Sequence, residues 1–156
     1  MRRTVPSALL VVLATVVLLA APACGKDKKG GEGFGKKPTV VVPSGTPPTE
    51  LQKKDLIVGK GAEATTGKKV TVQYVGVSFS TGKQFDASWD SGRAFPFTLG
   101  AGDVIKGWDQ GVPGMKVGGR RQLVIPPDLA YGAGGYPPAI APNETLVFVV
   151  DLVSVS

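Results

Sequence analysis

Between Asp103 and Val112 the hydrophobic period of this chain lengthens from two residues to about 3.6. Ile105, Trp108 and Val112 fall at i, i+3 and i+7, on one face of a helix. Pro113-Gly114 stops it. Gly107 inside the segment costs about 1 kcal/mol relative to Ala. A helix this short is not stable alone, so its apolar face needs a sheet to pack on.

The flanking sequence supplies strands. Val70, Val72 and Tyr74 alternate with Thr71, Gln73 and Val75, the pattern of a half-buried strand. Ser80-Thr81-Gly82-Lys83 reads as a turn, with Gln84–Ser88 returning from it. Phe95, Phe97 and Leu99 alternate again. Arg121–Ile125 and Thr145–Val153 are further strands, the latter β-branched enough to be central. Leu56-Ile57-Val58 is an earlier one. One short helix on an antiparallel sheet is an α+β arrangement.

The residue inventory narrows the chemistry. The chain has no His and one Cys, which excludes Ser-His-Asp and Cys-His catalysis, His-containing zinc sites and any internal disulfide. No Asp/Glu group has metal-loop spacing, so no metal or cofactor is expected. Residues 1–50 carry 7 Lys/Arg against 3 Asp/Glu, and residues 51–156 carry 11 against 9. The basic excess therefore sits mainly at the N-terminus rather than on the folded part, and no nucleic-acid surface is expected. Lys116, Arg120 and Arg121 read as solvated surface charges.

The first 24 residues read as an address. Arg2-Arg3 precede an apolar run, Ala8–Ala21, of signal-core length. Ala21-Pro22-Ala23 then leads into Cys24, similar to a bacterial lipobox, which would place a lipid on Cys24 and tether the protein to the outer face of the cytoplasmic membrane. Ordinary cleavage after Ala23, giving a secreted protein, and an uncleaved anchor are the alternatives. Residues 25–50, rich in Gly, Lys and Pro, read as a flexible tether with a reach of roughly 25–30 Å. Its apolar patch Val40-Val41-Val42 is read as linker rather than strand. Residues 51–156 form the folded domain.

Seven motifs then stand in order: VQYVG at 72–76, FDAS at 85–88, FPFTLG at 95–100, VIKGWDQGV at 104–112, MKVGGRR at 115–121, IPPDLAYGAGG at 125–135 and ETLVFVVDL at 144–152. In this series the domain resembles the FKBP-type (tacrolimus-binding) peptidyl-prolyl cis/trans isomerases. The resemblance implies an antiparallel sheet curled around one short helix, with a pocket between helix and concave sheet face and the loop 132–142 as a flap. It implies Asp86, Tyr131 and Trp108 as the catalytic set. Tyr74, Phe85, Phe95, Val104, Ile105, Ile140 and Phe148 would bind substrate, with Phe97 in the core. Tyr136, Ala139 and Ser91 depart from the residues common in that family, where His, a branched aliphatic and a basic residue paired with the pocket Asp stand.

The activity so implied is rotation about X-Pro amides of exported or unfolded polypeptides, which breaks no covalent bond and needs no His, metal or cofactor. Proline-containing chains and tacrolimus-like macrolides are the expected partners, and a monomer is the expected state. Two other classes compete: a binding module that keeps the shape without catalysis, and a structural envelope lipoprotein. An intact aromatic pocket separates the isomerase from both. Trp108→Ala is expected to lower turnover while leaving the fold largely intact.

Overall fold

The computed structural model describes residues 34–156; the segment read as a signal peptide and Cys24 lie outside them. The strands are β1 (Gln52–Ile57), β2 (Lys69–Ser78), β3 (Gln84–Ala87), β4 (Phe95–Thr98), β5 (Arg120–Ile125) and β6 (Leu146–Val155), with helices α1 (Ser88–Ser91) and α2 (Lys106–Gly111). They form one six-stranded sheet in the order β1-β5-β6-β2-β3, with β4 also pairing to β2. Every pairing is antiparallel. The fold is the expected α+β sheet with one core helix, and the β-branched run of β6 lies inside the sheet.

The core helix α2 is shorter than its periodic segment. Ile105 is its N-cap in extended backbone and Val112 its C-cap. Gly107 is a contact residue rather than a defect. A Cβ there would stand 2.4 Å from Ile125 Cγ2, and one at Gly111 would stand 2.8 Å from Leu123 Cδ1. Both glycines face β5, so their lack of side chains lets the helix backbone lie directly on the sheet. The short α1 was not anticipated, because four residues carry no readable period.

The main core lies between α2 and the concave sheet face. Val70, Val72, Leu99, Val112, Leu123, Ile125, Leu146, Val150 and Leu152 are fully buried there. The half-buried strand pattern of β2 is corrected by its other face. Val75 and Val77 are also buried, with Ala87, Val124 and Val147, in a second cluster on the convex side. Val40, Val42, Phe79 and Trp89 cover it.

The tether expected over 25–50 is therefore, from Phe34 to Val42, a strap laid across the convex face. Val40 and Val42 turn inward, while Val41 between them is exposed. The Gln122 side chain donates to the Val41 carbonyl at 2.7 Å, and Lys37 pairs with Asp90 at 2.5 Å. The Arg120 guanidinium carbon sits 5.1 Å from the Phe34 ring centroid, a cation–π contact. A strap satisfies its backbone through such side chains instead of a ladder, so it carries no strand signature.

Of the expected surface charges, Arg120 is partly buried and Arg121 is buried. Asp151 is completely buried and is held in a fork by Arg120, Nε to Oδ1 at 2.5 Å and Nη2 to Oδ2 at 2.9 Å. Burial raises the Asp151 carboxyl above its ordinary range, while Arg120 pulls it back down. Arg121 forks Asp55 on β1 at 2.6 and 3.1 Å and donates to the carbonyls of Gly111 and Pro113 at 2.8 and 3.0 Å. One guanidinium thus ties the end of α2 to two strands. Lys116 is exposed, as expected.

Candidate functional site

A cavity of about 260 Å³ opens between α2 and the concave face of the sheet. Trp108, from the inner face of α2, is its floor and is only 4% exposed. Its indole is set by the rings around it. Tyr74 and Phe148 stand edge-on to it at 5.1 and 5.3 Å between centroids, Phe97 is tilted at 5.6 Å, and Phe95 is edge-on at 6.3 Å. Edge-to-face contacts suit the charge distribution of aromatic rings and fix the floor's tilt.

The walls come from the strands. Tyr74 and Phe148 project from the paired strands β2 and β6, and Phe85 from β3 stands edge-on to Phe148 at 5.5 Å. Gly76 makes that pair possible: a Cβ there would meet Phe148 at 2.6 Å and Phe85 at 2.7 Å. Phe95 from β4 closes another side and is 38% exposed at the rim. Val104 and Ile105 line the cavity from the approach to α2.

Four polar groups of this otherwise apolar chamber are Tyr74, Asp86, Tyr131 and the Ile105 N–H. The Tyr74 hydroxyl donates to Asp86 Oδ2 at 2.5 Å. Desolvation, reinforced by the Asp86 hydrogen bond and charge, pushes the Tyr74 hydroxyl's pKa well above its ordinary value. Tyr131 lines the cavity at the start of the flap, and its hydroxyl is likewise raised, by desolvation and then by the Asp86 and Tyr136 charges. That hydroxyl and the Ile105 N–H have no hydrogen-bond partner among the described residues. The flap folds on itself, with Asn143 N–H bonded to the Gly132 carbonyl at 3.0 Å and Tyr136 paired with Ile140.

An aromatic box of this kind fits a five-membered ring and its flanking carbonyls. Residues 60–153 match the profile of the family described as FKBP-type peptidyl-prolyl cis-trans isomerase. The chain belongs to this family. Its activity is the cis/trans interconversion of X-Pro peptide bonds. It is 59% identical over 123 residues to an FK506-binding protein of Streptomyces anulatus, an alignment that takes in 77% of this chain and 98% of that one. It is 51% identical over 119 residues to a probable FK506-binding protein of Corynebacterium glutamicum, covering 76% and 98% of the two chains. The crystal structure of AtFKBP13 superimposes with a TM-score of 0.64 at 39% identity, covering 70% of this chain and 96% of that one.

In this FKBP domain, Tyr74, Phe85, Asp86, Phe95, Val104, Ile105, Trp108, Tyr131 and Phe148 all line the one cavity. Ile140 does not. It is 3% exposed and belongs to the main core, because its pairing with Tyr136 turns the flap residue inward. Phe97 is core, as expected. Asp103 is a lining residue that the sequence did not reveal. Its Oδ2 accepts the Thr98 N–H at 3.0 Å, a loop contact whose only sequence sign is an Asp ahead of a helix. Ser91 does not reach Asp86. Its hydroxyl donates to the Ser88 carbonyl at 2.9 Å, and Asp86 makes no ion pair among the described residues.

Proposed function

We propose that this FKBP domain catalyses X-Pro rotation by seating the prolyl ring on Trp108 and binding the twisted amide in preference to the planar one. The barrier to be lowered is ~18–20 kcal/mol and comes from amide resonance. Water favours the polar planar amide, so an apolar chamber walled by Tyr74, Phe85, Phe95 and Phe148 weakens that preference by excluding it. Tyr131 and the Ile105 N–H supply two donors for substrate carbonyls as the amide twists. Asp86, fixed by Tyr74, presents a carboxylate beside the twisting carbonyl carbon and abstracts no proton. The observation that carries this reading is the convergence of nine expected residues on one aromatic cavity.

The same chamber is the proposed site for tacrolimus-like macrolides, supported by the FK506-binding names of the relatives. The proposed substrates are exported polypeptides. Lipidation of Cys24 would hold the domain outside the cytoplasmic membrane, where slow prolyl isomerisation limits folding. This part rests on the apolar run, the small residues before Cys24 and the basic stretch after it. The domain is proposed to act as a monomer.

Prolyl-isomerisation kinetics of the purified protein, with and without tacrolimus, test the chamber. Drug-blocked catalysis is expected, and catalysis indifferent to the drug would sink the shared site. Fatty-acid labelling and membrane fractionation of the full chain against Cys24→Ser test the anchor. Label and membrane association are expected to vanish together in the variant.

A further inference from the structure

A second recess, of about 410 Å³, adjoins the prolyl cavity and shares Tyr74, Asp86 and Phe95 with it as a common wall. Its outer side is formed by Ser91, Arg93 and Ala94. Ser91 in this lining is small, and its hydroxyl is turned back to donate to the Ser88 carbonyl at 2.9 Å.

The charges in the recess are unequally engaged. Asp86 accepts the Tyr74 hydroxyl at the inner wall. Asp90, on α1 next to the recess, is taken by Lys37 and by the Gln84 amide. Arg93 makes only a backbone hydrogen bond, from its N–H to Ser91 Oγ, and its guanidinium pairs with nothing among the described residues. The outer end of the recess therefore carries a cation without a partner among the described residues.

A residue preceding proline is held extended, and extended chain advances about 3.3 Å per residue. A substrate whose proline sits on Trp108 must leave the cavity over its rim, and the Tyr74–Asp86–Phe95 wall is one exit. We propose that the recess is a substrate subsite, in which Arg93 receives an acidic side chain lying within two residues of the isomerised bond. It rests on the prolyl cavity being the catalytic site.

Host peptides carrying Glu, Gln or Lys at each of the two positions on either side of one X-Pro bond test this against wild type and Arg93→Glu. At one of these positions wild type is expected to favour Glu over Lys in kcat/KM by roughly two- to fivefold, the range of an exposed ion pair. The preference should shrink as added salt screens it. Arg93→Glu should invert it at that position and leave the order at the others unchanged. The same order in both proteins at every position would overturn the subsite. Loss of turnover with every peptide in wild type would instead indict the catalytic cavity.

Discussion

The Tyr74 hydroxyl donates to Asp86 Oδ2 at 2.5 Å in the wall that separates the prolyl cavity from the recess beside it. This contact joins β2 to β3 and orients the only carboxylate among the proposed catalytic groups. Its loss should be felt in turnover before it is felt in the fold.

Tyr74→Phe keeps the ring that packs on Trp108 and removes the donor. Isomerisation of a standard prolyl peptide is expected to fall roughly three- to tenfold, equivalent to ~1 kcal/mol of hydrogen bonding. The same variant tests the raised Tyr74 pKa. The unfolded chain ionises this phenol near 10.0, whereas desolvation and Asp86 hold it protonated to higher pH in the fold. Its contribution is therefore complete below pH 10 and lost as the pH rises through the folded value. Wild-type melting temperature should decline above pH 10 more steeply than that of Tyr74→Phe.

Trp108→Ala was expected to spare the fold, and its packing against four rings argues otherwise. Removing an indole this buried should destabilise by about 3–5 kcal/mol. Trp108→Phe retains an aromatic floor and is the cleaner probe. It should remain folded by near-UV circular dichroism while kcat/KM falls several-fold, and undiminished turnover would displace Trp108 from the floor.

Arg121 is the fastener between α2, β5 and β1. Arg121→Ala leaves the Gly111 and Pro113 carbonyls without their donor and strips Asp55 of its partner. Urea denaturation should show a loss of about 2–4 kcal/mol. Arg121→Lys should recover little of it, because a point ammonium cannot fork a carboxylate and also reach both carbonyls. The Asp55 carboxyl is held below its ordinary value chiefly by the Arg121 hydrogen bond. That contribution is complete above about pH 4 and is lost as the pH falls through the lowered folded value.

Deletion of residues 34–50 should weaken the domain although it removes no strand. It uncovers Val75, Val77, Val124 and Val147 on the convex face. Loss of the partly buried Val40 and Val42 alone should cost about 1–3 kcal/mol. Comparing the melting temperatures of chains 34–156 and 51–156 reads this directly. Equal values would mean that the strap lies on the domain without stabilising it.

The cavity was legible in the sequence because its makers sit in short local patterns. Alternation put Val70, Val72 and Tyr74 on one side of a strand, and helical spacing put Ile105, Trp108 and Val112 on one side of a turn. Nine of the residues that the motif series named lie along one cavity. Ile140 lies in the core instead, because its direction depends on its bridge to Tyr136 within the flap rather than on any period. Asp103 escaped notice because its role is to cap a loop from β4.

By itself the sequence determined the local periods, the single core helix and a chemistry that uses no His. Those follow from backbone geometry and from which side-chain groups are present at all. The tertiary structure alone decided that β2 is covered on both faces, that Arg120 and Arg121 are drawn into ion pairs with Asp151 and Asp55, and that an open recess lined by Arg93 adjoins the aromatic cavity. Each depends on partners far apart along the chain, 81 residues between Val41 and Gln122 and 66 between Asp55 and Arg121. A composition of Gly, Lys and Pro reports the entropy of such a segment, and only the assembled sheet supplies the surface that outweighs it.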